Sequence, residues 1–143
     1  MGSRKHIAAE ARKEQRKGLV VAKLRNNPTS PRKTRLMADV VRGLDVNEAL
    51  GVLQYSQRES AEKIRKLILS AVANWQVKNE GRRVEDARLY IHEIWVDGGS
   101  QMKRLRSTAH GRGVQIRKKS NHITVVLGDR SEEQRKESTQ ISE

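Results

Sequence analysis

The most constraining feature of this chain is a long basic segment that contains no acidic residue and is bounded by strand-like sequence. Residues 98–128 include no Asp or Glu. The same segment carries seven Lys and Arg residues: Lys103, Arg104, Arg106, Arg112, Arg117, Lys118 and Lys119. Residues 89–96 and 123–127, which bound it, are rich in β-branched and aromatic side chains, as is typical of strands. Two strands separated in this way predict a long antiparallel hairpin.

The turn of this hairpin has two candidate positions. Asp97-Gly98 could form a tight turn, but residues 99–106 would then be the returning strand, and their strand propensity is poor. The alternative is a tip at five later residues: Ala109, His110, Gly111, Arg112 and Gly113. We favour this tip, which gives a hairpin over about residues 97–122. Arms of about 13 residues, at about 3.3 Å per residue, would project roughly 40 Å.

The charge pattern of the predicted hairpin argues against packing on a protein core. A two-stranded ribbon alone is marginally stable in water. Arg104 and Arg106 would lie on one face and Lys103 on the other, so both faces carry charge. We therefore expect RNA to surround the hairpin and its cations to bind phosphates. A plain solubilising loop is the alternative, although so long a loop in a small domain usually has a function.

The composition supports a polyanionic partner. The 143 residues include 30 Lys and Arg against 17 Asp and Glu, a formal net charge of +13. Nucleic acid is the first candidate, because each neutralised phosphate releases condensed counterions; a membrane surface is the second. The absence of Cys excludes disulfides, thiol catalysis and Cys-type zinc sites, and it is compatible with the cytosol. No window of about 18 apolar residues occurs, so we expect no membrane span.

Hydrophobic spacing outside the hairpin predicts a small α+β body. Residues 19–24 predict a short strand. Three helices are expected: one from the N-cap Ser30 through Arg42, a short one from Asp45, and a long one over residues 58–79. The long helix carries one apolar stripe, which predicts core packing: Ala61, Ile64, Ile68, Ala71 and Trp75.

The two ends of the chain differ from this body. Residues 1–18 hold six Lys and Arg against two Glu, and they predict a basic arm that could be helical before Gly18. Residues 129–143 are acidic and almost free of apolar groups, and they predict a disordered tail. The expected organisation is therefore an arm over 1–18, one domain over 19–128 and a tail over 129–143.

Patterns for catalysis and metal binding are weak. His6, His92, His110 and His122 are scattered, which does not indicate zinc. The acidic residues fall mostly on helix faces, at helix starts or in the tail, and residues 111–113 lack the Lys and hydroxyl ending of a phosphate loop. We expect no enzymatic activity, no cofactor and no metal. For His110 two roles stay open, a contact to phosphate or base, or a solvent-facing turn residue.

Two other functions fit the charge less well. A DNA-bending architectural protein would insert an apolar wedge, often Pro, into the minor groove. The predicted tip has no Pro and no large apolar residue. A binder of membrane surfaces would need a basic amphipathic helix with large apolar residues, and residues 1–18 offer mainly Ala.

Several short blocks of the sequence resemble a known family. In chain order they are Ser30-Pro31-Arg32-Lys33 with Arg42-Gly43, Ser70-Ala71-Val72-Ala73-Asn74, Lys103-Arg104, Gly111-Arg112 and Ser120-Asn121-His122-Ile123-Thr124-Val125-Val126. Each block alone is weak. The ordered set, over residues 19–128, resembles the bacterial large-subunit ribosomal proteins of the L-twenty-two family and leaves both termini outside the likeness. The resemblance implies an α+β fold, with three helices packed on a small three-stranded antiparallel sheet, a long protruding β-hairpin and extended termini.

The same resemblance implies a structural constituent of the large ribosomal subunit. It implies binding to 23S rRNA, support of subunit assembly, and a hairpin tip that helps to line the nascent-peptide exit tunnel. The implied partners are 23S rRNA, neighbouring large-subunit ribosomal proteins and the nascent polypeptide. The protein would be a monomer within the cytoplasmic ribosome, without membrane contact.

Carried over by position, the resemblance also implies the interacting residues. The first helix would bind rRNA through Arg32, Lys33, Arg35 and Arg42. The hairpin would bind rRNA through Lys103, Arg104, Arg106, Arg112, Arg117, Lys118 and Lys119. The tunnel-lining tip would be Ala109, His110, Gly111, Arg112 and Gly113. The chain departs from the family just before the tip, where Ser107-Thr108-Ala109 replaces the usual Pro-Arg-Ala, and this change lowers the charge and stiffness of the tip.

Overall fold

The fold of the chain is known from a computed structural model, which describes residues 3–80 and 82–131. The elements in chain order are helix α1 (Ser3–Gly18), strand β1 (Val20–Asn27), helices α2 (Pro31–Val41), α3 (Val46–Tyr55), α4 (Glu59–Lys78) and α5 (Val84–Ala87), strand β2 (Leu89–Ser107), a 3-10 turn (Ala109–Gly111) and strand β3 (Gly113–Asp129). The predicted α+β class is confirmed. The sequence analysis missed α5, which is a single turn of four residues.

The three strands form one antiparallel sheet in the order β1-β3-β2. β3 is central: Val125 pairs with Ala22 on one side and with Ile94 on the other. Helices α2 and α4 pack on the sheet, and α3 packs mainly against α4. The expected three-stranded antiparallel sheet with helices packed on it is therefore confirmed, with α3 in contact mainly with α4.

The core lies between α4 and the sheet. The apolar stripe predicted on the long helix is buried, and its Trp75 is only 3% exposed. From the sheet, Ile91, Ile94, Ile123 and Val125 point into the same cluster. Because the chain has no Phe, aliphatic side chains and Trp75 fill the interior.

The helix ends lie close to their predicted positions, with different local contacts. Ser30 occupies the N-cap of α2, but its side-chain oxygen accepts no capping hydrogen bond; its carbonyl accepts one from the backbone N–H of Thr34. Asp45 occupies the N-cap of α3 without a capping bond, and its carboxylate lies 3.3 Å from Arg130 instead. Gly43, at φ +79°, follows α2 in the left-handed conformation that favours glycine.

The folded part extends beyond the predicted boundary at residue 128. β3 ends at Asp129, whose carboxylate accepts hydrogen bonds from the backbone and hydroxyl of Ser131 and lies 3.3 Å from Arg82. Arg130 lies over the ring of Tyr90. The near-absence of apolar groups predicted a tail that starts at residue 129, but ion pairs and hydrogen bonds hold residues 129–131. The rest of that tail lies outside the described residues.

Helix α1 covers the segment predicted as a basic arm. Its described side chains, at residues 4–14, are all exposed. No helix among the described residues is long and apolar enough to cross a membrane.

Candidate nucleic-acid interface

The predicted hairpin is formed by β2 and β3. Pairing runs from Leu89 opposite Asp129 out to Ser107 opposite Gly113. Gly98 pairs with Asn121 within the ladder, which rules out a hairpin turn at that glycine. At about 3.3 Å per residue, the ladder from Gly98 to the tip end of β2 is about 30 Å long. The favoured tip position is confirmed.

The pairing of β2 with β3 shifts its register between Gly98 and Gln101, at the start of the free part of the hairpin. A Cβ atom at Gly99 would lie 2.6 Å from the Ser120 hydroxyl oxygen and 3.1 Å from the Ser120 carbonyl carbon. Ser120 in turn donates its hydroxyl to the carbonyl of Ser100 at 2.6 Å. Glycine is therefore required at position 99 for the strands to approach, and this point separates the body from the free part of the hairpin.

Beyond this point no contact with the described residues buries the hairpin. Every residue from 101 to 119 is exposed. Leu105 is 82% exposed, and Met102 is 56% exposed. The described part of the protein therefore leaves both side chains largely uncovered.

Within residues 3–80 and 82–131, the hairpin cations lie away from acidic side chains. Among the residues that the structure describes, none of the seven forms an ion pair with a carboxylate. Lys103 lies directly opposite Arg117 in the ladder, a like-charge pair that destabilises an isolated sheet. An anion between Lys103 and Arg117 would remove that repulsion.

The tip is narrow and polar. The backbone N–H of Thr108 donates to the carbonyl of Arg112 at 2.9 Å and closes the turn. His110, at φ +59°, and Gly111, at φ +69°, both adopt the left-handed conformation, which turns the chain within a few residues. The five residues predicted to form the tip do so, and all are exposed.

A buried polar cluster joins the hairpin base to the start of α2. The Asn121 amide donates to the carbonyl of Thr29 at 2.8 Å and to the hydroxyl of Thr34 at 3.0 Å, and its oxygen accepts from Asn27 at 3.0 Å. Asn121 and Thr34 are fully buried. The sequence analysis missed this cluster, although an Asn inside a β-branched run is unusual enough to have signalled it.

Four cations on or directly after α2 were predicted to bind RNA, and the structure separates them into two pairs. Arg32 and Lys33 are exposed on the first turn of α2. Arg35 donates through Nε and Nη2 to the carbonyl of Val96, at 3.1 and 3.0 Å. Arg42 donates to the carbonyl of Ile94 at 3.0 Å and pairs with the nearby Asp39 at 2.9 Å.

Because β2 is an edge strand, its outer carbonyls need partners. Arg35 and Arg42 supply them along the part of the strand that precedes the free hairpin. Gly43 and Leu44 continue the same edge by exchanging backbone hydrogen bonds with Ile91 at 3.0 Å. The structure thus shows a structural role for these two arginines, and RNA contact by them stays a prediction.

The scattered histidines remain apart in the fold. Within the described ranges, 3–80 and 82–131, no three side chains of His, Asp or Glu come together as a metal site would require. His110 stands alone at the hairpin tip, whereas His122 accepts a hydrogen bond from the backbone of Asn26 at 3.0 Å.

Comparison with known proteins agrees with this geometry. A sequence model of the family described as Ribosomal protein L22p/L17e matches residues 22–128. The chain is 57% identical over 127 residues to the large ribosomal subunit protein uL22 of Porphyromonas gingivalis, covering 89% of this chain and 94% of the relative. It is 53% identical over 131 residues to the protein of the same name from Bacteroides fragilis, covering 92% of this chain and 96% of the relative.

The match to the Bacteroides fragilis protein leaves only 12 residues of this chain uncovered, 143 minus 131. Because 21 residues precede the part matched by the family model, some of them lie within that match. The likeness is therefore wider than residues 19–128, and the N-terminal segment is not entirely outside it. These matches, together with the fold and the hairpin, show that the chain belongs to the Ribosomal protein L22p/L17e family of large-subunit ribosomal proteins, a family of structural components and not of enzymes.

Proposed function

We propose that this protein binds 23S rRNA in the large ribosomal subunit through its free hairpin, supports assembly of that subunit, and lines the nascent-peptide exit tunnel with the hairpin tip. The observation that carries the proposal is the hairpin itself, where seven exposed cations lack carboxylate partners among the described residues.

Electrostatics favour RNA on both faces of the hairpin. The ladder register puts Lys103 and Arg117 on one face and Arg104, Arg106 and Lys118 on the other. A protein surface that enclosed both faces would need many acidic groups. An RNA fold supplies phosphates on all sides, and each contact releases counterions. We therefore assign phosphate binding to the predicted hairpin cations: Lys103, Arg104, Arg106, Arg112, Arg117, Lys118 and Lys119.

The body would bind RNA beside the hairpin base. Arg32 and Lys33 lie on the exposed first turn of α2, and the Asn121 cluster fixes that turn against β3. Their ammonium and guanidinium groups are free to bind phosphate. Arg35 and Arg42 would act mainly by holding α2 against β2, so that the two sets of RNA-binding side chains keep a fixed separation.

The tunnel-lining role rests on the shape of the tip. Ala109, His110, Gly111 and Gly113 have small or planar polar side chains, so the tip can reach into a narrow space without a bulky apolar group. Arg112 is the one strong cation there and would hold the tip on RNA. His110 would face the polypeptide in the tunnel or the neighbouring RNA.

The RNA-binding proposal is tested by measuring the affinity for deproteinised 23S rRNA at salt concentrations between roughly 50 and 200 mM. Over this range the affinity should fall roughly 10³–10⁵-fold, as expected for about 6 to 10 phosphate contacts. The double variant Lys103→Gln with Arg117→Gln should bind more weakly. The slope of log affinity against log salt should fall by roughly 1.4–1.8, since each phosphate contact contributes about 0.7–0.9.

A matched control is Lys63→Gln with Lys66→Gln on α4, which changes the net charge equally. These lysines pair with Glu59 and Glu62 at 3.0 and 2.6 Å, and the hydrogen bond from Lys66 lowers the pKa of the Glu62 carboxyl. The control should retain the wild-type salt slope. Equal slopes for the hairpin variant and the wild type, or displacement of the rRNA by duplex DNA at equal concentration, would overturn the proposal.

The tunnel proposal has its own test. Because the chain has no Cys, His110→Cys introduces a single thiol that can carry a photo-crosslinker. Ribosomes that hold a stalled nascent chain should give a crosslink between position 110 and that chain. A crosslinker at Glu62→Cys, on the outer face of α4, should give none. No crosslink from position 110 would refute tunnel lining while leaving RNA binding intact.

A further inference from the structure

Helix α1 is an isolated element of the fold. It has 16 residues, and the described side chains at residues 4–14 are exposed. In the part of the chain that the structure describes, α1 forms no extended packing interface with another helix or strand. Isolated helices of this length are marginal in water, because most helical stability in proteins comes from tertiary packing. Packing against the core therefore does not explain why α1 is helical.

Charge is distributed unevenly around α1. At about 100° per residue, Lys5 and Arg12 lie about 20° apart around the axis, and each lies about 140–180° from Glu10 and Glu14. On the acidic side, His6 lies 3.4 Å from Glu10. Among the described residues, Lys5 and Arg12 form no ion pair.

Small side chains flank the two cations. Ala8 and Ala9 fall on either side of the line from Lys5 to Arg12, which spans about 10.5 Å along the axis at about 1.5 Å per residue. We call Lys5, Ala8, Ala9 and Arg12 the basic face of α1. Because alanines do not project beyond the backbone by more than a methyl group, a polymer backbone can approach this face closely while the two cations reach around it.

The N-terminal end of α1 adds a second indication of an anionic partner. Its first turn contains no acidic residue and carries Arg4 and Lys5. Free N–H groups and the helix dipole make this end positive, so cations there destabilise an isolated helix and an anion would stabilise it. A phosphate at this end would offset the charge of the side chains and of the helix end together.

We propose that α1 is a second RNA-binding element, whose basic face binds the phosphate backbone of a stretch of large-subunit rRNA different from the stretch that holds the hairpin. This inference rests on the proposed function, since it assumes that the protein is assembled on that rRNA. A membrane surface fits less well, because Ile7 is the one large apolar side chain of the helix.

The test uses a double variant of α1 that carries both Lys5→Gln and Arg12→Gln. It is compared with the double control variant, Lys63→Gln and Lys66→Gln, in the same 23S rRNA binding assay. Gln is a good helix former, so the variant should keep the helix. The α1 variant should bind more weakly, with a salt slope smaller by roughly 1.4–1.8, and the control should not. Circular dichroism of the full-length α1 variant, the control variant and the wild type checks that helix content is unchanged.

A second measurement locates the RNA that α1 contacts. Ala11→Cys, beside the basic face of α1, and Ser107→Cys each introduce one thiol for a tethered iron chelate that cleaves nearby RNA. The two positions should cleave different stretches of the rRNA.

The outcomes separate the two proposals. A weakened hairpin variant together with an α1 variant that equals the control would refute the role of α1 and leave the proposed function standing. If neither variant differs from the control, both fail. Cleavage from Ala11→Cys that coincides with cleavage from Ser107→Cys would contradict a separate RNA site.

Discussion

Substitution of Asn121 by Ala should destabilise the free protein far more than its single amide suggests. The amide oxygen accepts one hydrogen bond from Asn27, and the amide nitrogen lies within 3.0 Å of three acceptors on Thr29 and Thr34. Ala would leave at least the Thr29 carbonyl and one Asn27 N–H short of a partner. Since each unsatisfied buried group costs about 1–3 kcal/mol, the expected loss for these two groups is about 2–6 kcal/mol.

The measurement is urea unfolding of the full chain, with the free energy of unfolding obtained by linear extrapolation. The matched control is Gln115→Ala, which also removes an amide from β3 but at an exposed hairpin position. The control should stay within about 0.5 kcal/mol of the wild type. A loss below about 0.5 kcal/mol for Asn121→Ala would show that the cluster does not hold the hairpin base to α2, and the reasoning from its hydrogen bonds would be refuted.

Three other substitutions and one segment replacement test the fold by urea unfolding. Gly51→Ala should stabilise the protein by about 0.5–1 kcal/mol, because α3 has open space there and Ala restricts the unfolded chain. Gly128→Ala should destabilise the protein by about 1–3 kcal/mol, because the new methyl group would lie 2.5 Å from an aromatic carbon of Tyr90. The opposite order of stabilities would contradict the packing. Arg35→Ala should cost about 1.5–3 kcal/mol through its charged hydrogen bonds to the edge of β2, and no loss would show that they are solvent-replaceable. Replacing the segment between Gln101 and Lys119, which are paired, with Asn-Gly should leave cooperative unfolding intact; a non-cooperative transition would make the free hairpin part of the core.

Local patterns in the sequence were enough to predict most elements. Apolar spacing identified the long helix and its buried stripe, and Ser30 and Gly43 marked the ends of α2. The hairpin followed from β-branched runs on either side of an acid-free basic segment. These features succeed because period, turn chemistry and charge are properties of neighbouring residues.

The contacts that fix the site could not be predicted in this way. Arg35 and Val96 are 61 positions apart, and Asn121 and Thr29 are 92 positions apart. In the sequence, Arg35 is indistinguishable from the other cations of the basic helix face. The order of the strands is needed to see that β2 is an edge strand whose outer carbonyls need hydrogen-bond donors. The same reason explains the misplaced start of the tail, where Asp129 finds Arg82 across the fold.

These contacts also suggest how the body serves the hairpin. The glycine at 99 and the Asn121 cluster lie at the point where the ladder leaves the body, so the direction of the hairpin is fixed at its base. The free part needs no contact of its own with the core. A rigid base with an exposed charged ribbon suits a protein whose partner completes the packing.

The central claim, that the free hairpin is enclosed by RNA in the large subunit, is tested most directly by Ser107→Cys carrying a tethered iron chelate. The labelled full-length protein is incorporated into large subunits, and its incorporation is checked by sedimentation with them. Strong cleavage of 23S rRNA around position 107 is the predicted result, because that residue is exposed near the end of the ribbon. Labelled protein that sediments with the subunit but cleaves no rRNA from this position would contradict the account.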